Sequence, residues 1–195
     1  MNFKNIALAT TLLTTVFLTA CVAPQNNKIN LAPRITLPNQ DLTINATSIN
    51  VVSVDNRSTA TLAKLERKGE LIELMPNRDV RFLLQEIVEK QMAARGFSVG
   101  GNAPVTVQII LNRLDANVTE GNLKHRIDAV VELTLQTRSV NNSLQHSKTY
   151  RGQYSLEGAL TASQAKIEEV LNTVLTNAIN EMAQDNSVAT FIRQN

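Results

Sequence analysis

Between Leu123 and Gln136 apolar and polar residues alternate, and no other stretch restricts the fold of this chain so sharply. Leu123, Ile127, Ala129, Val131, Leu133 and Leu135 share one parity, while Lys124, Arg126, Asp128, Glu132, Thr134 and Gln136 take the other. A strand with this period of two buries one face and leaves the other in water, as in an antiparallel sheet covered on one side. Val105, Val107, Ile109 and Leu111 alternate in the same way before it. The apolar parity then moves to Leu114, Ala116 and Val118, as a bulge near Asn112 requires. Tyr150, Tyr154 and Leu156 mark the inner face of a third strand beyond a turn at Asn141, Asn142 and Ser143. Three strands joined by short loops predict an antiparallel meander in need of a cover.

Two helical periods offer that cover. Ile167, Val170, Leu171, Val174, Leu175, Ala178, Ile179 and Met182 recur at helical spacing after Ser163, predicting one long amphipathic helix. Val80, Leu83, Leu84, Ile87, Val88 and Met92 form a second apolar stripe, with Asn77 as expected N-cap, Asp79 beside the positive end of the dipole and Gly96 as the left-handed stop. Val188, Phe191 and Ile192 predict a short terminal turn of helix. Ahead of these, Leu42 to Val54 reads as a first strand closed by turn residues Asp55 to Ser58. Leu62 to Arg67 and Glu70 to Met75 then form a hairpin around Lys68-Gly69, a short helix over Thr61 to Lys68 being the alternative. The expected fold is α+β, a mainly antiparallel sheet covered by two long helices, in a single domain over residues 42–195.

The N-terminus carries the most specific chemical signal. Lys4 precedes a charge-free, largely apolar run from Ile6 to Leu18, and Leu18-Thr19-Ala20-Cys21 follows, so residues 1–20 read as a signal peptide cut between Ala20 and Cys21. The run is shorter than the ~20 residues that span a bilayer, which counts against an uncut anchor. An ordinary signal cut after Ala20, leaving a free thiol, is the other alternative. The junction resembles a bacterial lipobox, and that resemblance implies an S-diacylglycerol and an N-acyl group on Cys21, the only cysteine. Val22 stands where an Asp would retain such a protein at the inner membrane, which favours the outer membrane. Residues 21–41 then read as the lipidated Cys and a tether bearing Pro24, Pro33 and Pro38 with Gln25, Asn26 and Asn27. Packing of Leu31, Ile35 and Leu37 on the domain would shorten its reach.

Charge and composition remove several classes of function. The formal net charge is +2, or +1 once Lys4 leaves, and the basic residues form no run, so no nucleic-acid partner is expected. Beyond the signal only Phe82, Phe97, Phe191, Tyr150 and Tyr154 are aromatic, too few for stacking platforms. His125 lies on the apolar parity of its strand and His146 near a turn, and neither has clustered carboxylates, so no metal site or cofactor is expected. No nucleophile elbow, phosphate loop or zinc-protease motif occurs, and no catalytic residue is assigned. Arg78, Asp79 and Arg81 form the densest polar cluster, read as a helix cap with a surface ion pair. Glu168-Glu169 reads as a complement to a helix dipole.

A set of short motifs runs through the chain: Ile35-Thr36-Leu37-Pro38, Arg78-Asp79, Arg81-Phe82-Leu83-Leu84-Gln85-Glu86, Glu89-Lys90-Gln91-Met92, Ala94-Arg95-Gly96, Glu157-Gly158-Ala159 and Gln184-Asp185. With the lipobox, this set resembles the YajG-type lipoproteins of Gram-negative bacteria over nearly the whole length. The resemblance implies a lipid-anchored protein of unassigned biochemical role and brings no catalytic residue with it. The reading is therefore a bacterial lipoprotein on the periplasmic face of the outer membrane, a non-enzymatic binding or envelope-assembly accessory module. Its partners are outer-membrane lipid through acylated Cys21 and an unidentified envelope protein. The alternative is a periplasmic small-ligand binder or hydrolase with an unrecognised site.

Overall fold

The alternating runs form three long strands, β6 (Val105–Glu120), β7 (Lys124–Ser139) and β8 (Gln145–Ala159), paired antiparallel in that order. The computed structural model describes residues 26–42, 47–139 and 144–194. The signal peptide, Cys21 and the expected turn at Asn141 to Ser143 lie outside the described residues. Every second residue of β7 from His125 to Ser139 is buried, the parity read from the sequence. Leu123 departs from it, lying one residue before β7 in the turn, exposed. The register with β7 shifts between Leu111 and Arg113, so Asn112 is the extra residue that the change of parity demanded.

Upstream lie β1 (Lys28–Ile29), β2 (Ser48–Asp55), β3 (Ala63–Arg67) and β4 (Glu70–Pro76), and β5 (Ser98–Val99) precedes the meander. Lys68 and Gly69 have φ of 54° and 80°, the consecutive left-handed pair whose twist suits a two-residue hairpin, so the helical alternative for this stretch does not form. One edge of β6 pairs with β7 along its length. The other edge is shared: Val105 to Leu111 pairs with β2, and beyond the bulge Ala116 pairs with Ala63 of β3. β1 pairs with β4, and β2 with β5, completing eight strands.

Two expectations are corrected. The sheet is mixed rather than mainly antiparallel, because β1 with β4, β2 with β5, β2 with β6 and β3 with β6 all run parallel. The cause is the connection between β2 and β6, which carries a helix and returns the chain in its original direction. There is also one long helix rather than two: α2 (Gln164–Gln184) has 21 residues, whereas α1 (Val80–Arg95) has 16 and α3 (Ser187–Gln194) has 8. Ser163 caps α2 by accepting from the Lys166 amide at 3.2 Å. The cap of α1 is Asp79, not Asn77: its carboxylate accepts the Arg81 amide at 2.9 Å, while Asn77 reaches back to Ile29 and Asn30.

α2 lies across β6, β7 and β8, α1 across β2, β5 and β6, and α3 against β7 and β8. Between them Ile109, Leu111, Leu133, Leu135, Val170, Leu171, Val174, Leu175 and Ile179 are fully buried. The closest approach of α2 to the sheet is at Gly152, where an added Cβ would stand 3.2 Å from the Val174 carbonyl oxygen and 3.0 Å from Val131 Cγ1. A helix backbone cannot yield there without disturbing the layer beneath it. Gly152→Val should therefore destabilise the fold by about 2–3 kcal/mol through overpacking in urea unfolding, while Gly101→Ala, in open space, should change it by less than about 0.5 kcal/mol.

Candidate functional site

The segment leading from Cys21 into the domain is held along α2 by a ladder of side chains. Gln164 Nε2 donates to the Lys28 carbonyl at 2.8 Å, and Glu168 Oε2 accepts the Asn30 amide at 2.8 Å. Asn172 accepts the Ala32 amide at 2.7 Å and donates to the Asn30 carbonyl at 3.0 Å. Thr176 Oγ1 accepts the Arg34 amide at 3.0 Å, and the Thr36 hydroxyl donates to Asn180 Oδ1. The helix partners recur every four residues and the strap partners every two. Four helical residues rise about 6.0 Å and two extended residues about 6.7 Å, so the two repeats stay nearly in step. Ile29, Leu31 and Pro33, in the other phase, are buried. Pro33 lacks an N–H where none is asked for by α2.

The far end of the strap meets both helices at Gln91 and Arg95. Buried Gln91 donates to the Thr36 carbonyl at 3.1 Å and to the Ile179 carbonyl at 3.0 Å. Buried Arg95 donates to the carbonyls of Met182, Ala183 and Asp185 at 3.3, 2.8 and 2.7 Å, capping the negative end of α2. Burial pulls its pKa down, opposed by the negative fields of Tyr150, Asp185 and Asp41. Asp185 in turn accepts from the Tyr150 hydroxyl at 3.2 Å. Burial pushes the Asp185 carboxyl up, but hydrogen bonds from Ser187 and Tyr150 outweigh it and hold the group below its ordinary range. Burial and the neighbouring Asp185 push the Tyr150 hydroxyl well above its ordinary value.

At the start of α2 the corresponding lock is Glu120. It accepts from Arg67 at 2.8 and 3.0 Å and from the Ala162 amide at 2.7 Å, next to the Ser163 cap. The Arg67 hydrogen bond holds its carboxyl below the usual range, against a smaller contribution from burial.

The sequence-derived candidates take structural roles. Asp79 and Arg81 form the helix cap and an adjoining ion pair, and Arg78 reaches Glu86 at 3.6 Å. The hydrogen bond from Arg81 is the main cause of the lowered Asp79 pKa. His125 is buried with Nδ1 3.0 Å from the Leu160 carbonyl, and His146 stacks on Phe191 at 5.7 Å. Glu168 does more than complement a dipole, since it opens the strap ladder. Among the described residues no three His, Cys, Asp or Glu side chains converge as a metal site, and no helix is long and apolar enough to cross a membrane. A cavity of about 780 Å³ lies beside the strap's end, with Thr36, Leu37, Asp41, Arg95, Asn186 and Arg193 in its wall. Its cations are engaged, Arg95 by helix carbonyls and Arg193 by Asp41 at 3.0 Å.

The strap was not recognised from the sequence, although two signals marked it. Ile29, Leu31, Ile35 and Leu37 alternate through a segment read as aperiodic, and Glu168, Asn172, Thr176 and Asn180 form a four-residue polar series beside the apolar stripe of α2. Thr and Asn are poor choices for an exposed helix interior, and their placement there signals a hydrogen-bonding task.

A family profile described as "Uncharacterized lipoprotein" matches residues 33–193. The uncharacterized lipoprotein YajG of Escherichia coli K12 is 39% identical over 193 residues, covering 99% of this chain and 98% of the relative, and its counterpart in Escherichia coli O6:H1 matches equally. Among solved structures, a Xanthomonas campestris protein superposes with a TM-score of 0.57 at 12% identity, covering 85% of this chain and 97% of that one. A putative neuraminyllactose-binding hemagglutinin homolog from Helicobacter pylori gives 0.52 at 8%, covering 86% and 97%. At such identities these two structures share the fold alone.

Two measurements probe the locks on α2. Asn172→Ala removes two hydrogen bonds, and we expect a loss of about 1–2 kcal/mol in urea unfolding together with faster amide exchange at Ala32. Because the folded pKa of Glu120 is lowered, its contribution is complete above the ordinary Glu range and is lost as pH falls through the folded value. The stability difference between the natural chain and Glu120→Gln should therefore shrink as the pH of a urea series is lowered through that window.

Proposed function

The chain belongs to the YajG-type family of uncharacterized lipoproteins, and we propose that it acts as a lipid-anchored, non-enzymatic binding or assembly-accessory module on the periplasmic face of the outer membrane. The observation that carries this reading is the strap. Five side chains of α2, from Gln164 to Asn180, are committed to the segment that leads to Cys21, so the domain is built to be held through that segment. Acyl chains on Cys21 would supply the attachment, since stable anchoring takes more than one chain or signal. Val22 in place of Asp supports the outer membrane as the destination.

The non-enzymatic part rests on the use of the polar groups. Arg95, Gln91, Asp185, Tyr150 and His125 are the buried or half-buried functional side chains nearest to a site, and each is spent on a helix end, a carbonyl or a neighbour. A small-ligand binder or hydrolase would have to use the 780 Å³ cavity, whose size suits a ligand. Its wall offers a hydroxyl at Thr36 but no histidine or cysteine beside it.

Metabolic labelling with an acyl-chain probe tests the anchor. The natural chain should incorporate label, and Cys21→Ala should lose it and accumulate with its signal uncut; label persisting in that variant sinks the anchor. Crosslinking in intact cells tests the module: recovery of a specific envelope protein supports it, and recovery of nothing above a soluble control overturns it.

A further inference from the structure

The point where the anchor segment enters the domain identifies the face turned toward the lipid. β4 runs away from the β3–β4 turn, and β1 lies parallel to it with Lys28 opposite Met75 and the Asn27 carbonyl accepting from the Met75 amide at 2.9 Å. The chain thus reaches Lys28 from the side of that turn. Cys21 is five residues ahead of Asn26, a separation that spans at most about 18 Å of fully extended chain. Whatever holds Cys21 is therefore close to this end of the domain.

Three loops gather there. The β3–β4 turn is joined to the others by Arg67, which donates to Glu120 at the end of β6 and to the Ala162 carbonyl ahead of α2. The β6–β7 turn and the β8–α2 connection are joined by the Leu160 amide, which donates to the Leu123 carbonyl at 2.9 Å. Each loop ends in an exposed leucine: Leu123 is 80% exposed, Leu160 67% and Leu71, next to the third turn, 63%. Leu160 has φ of 60°, an unfavourable conformation for a leucine, although its amide and carbonyl are both bonded, to Leu123 and His125. Lys68, Lys124 and Lys166 are exposed among these loops.

Exposed leucines on adjoining turns, flanked by lysines, match the composition that enters the headgroup region of a bilayer. Resting on the reading of Cys21 as the lipidated residue, we propose that this end of the domain docks on the membrane that holds its own anchor, with Leu123 and Leu160 inserted among the headgroups. The domain is then a body lying against the lipid with α2 rising from the surface, rather than a sphere swinging on a leash.

The chain contains no tryptophan, so a single introduced indole reports without background. Acylated full-length Leu123→Trp, Leu160→Trp and Leu144→Trp chains are reconstituted into phosphatidylethanolamine–phosphatidylglycerol vesicles with ordinary or brominated acyl chains. Leu144 is 50% exposed and stands just before β8, at the opposite end of that strand from Leu160 and about 50 Å away. Brominated lipid should quench Leu123→Trp and Leu160→Trp at least about two-fold and leave Leu144→Trp nearly unchanged, as insertion into the headgroup and upper acyl region requires. Equal emission in both vesicle types from chains that float with the vesicles overturns the docking and leaves the anchor standing. Blue-shifted but unquenched emission assigns the face to a second copy and also overturns it. Chains that fail to float overturn the anchor and this inference together.

Discussion

An extended segment that leaves a sheet still carries an N–H and a carbonyl at every residue, and each needs a partner. Between Lys28 and Thr36 this chain solves that problem with helix side chains instead of a neighbouring strand. The solution works because four residues of helix and two of extended chain advance by nearly the same distance. Much of the layout depends on it. The strap fixes the position of α2 along its own axis, Gln91 ties the strap's end to α1, and Arg95 closes the C-terminus of α2. Gly152 then lets the positioned helix sit close to the sheet.

The residues that carry the family resemblance meet largely at these fastenings. Thr36 receives Gln91, Arg95 reaches the Asp185 carbonyl, and Asp79 caps α1. Their roles are to set helix ends and to hold the strap. Such roles explain why a set of polar motifs spread over the chain carries no catalytic arrangement: buried donors that satisfy helix carbonyls are already committed, and withdrawing one would leave polar groups unpaired in the interior.

The parts of the fold legible in the sequence were those governed by local periodicity. The parity of β7, the bulge at Asn112, the left-handed turn at Lys68-Gly69 and the span of α2 all follow from spacing or backbone conformation within a few residues. Strand direction was not legible. Whether β2 pairs parallel with β6 depends on where a helical connection returns, and that is decided by packing across distant segments. Asn77 and Asp79 are both good caps, and the choice between them fell to the contacts of Asn77 with Ile29 and Asn30. The strap was hidden for a related reason: its partners lie more than 130 residues away, and prolines within it suggested a free linker.

The direction of the strap also decides how the domain bears load. It runs from the start of α2 toward its end, so tension on the anchor along the helix axis pulls the strap lengthwise. Bonds spaced along such a path share the force in shear, whereas a strap peeled from one end would lose them one at a time. A pull from the lipid is thus spread over several turns of helix before it reaches the sheet, making the segment next to the anchor a mechanical joint as well as a structural one.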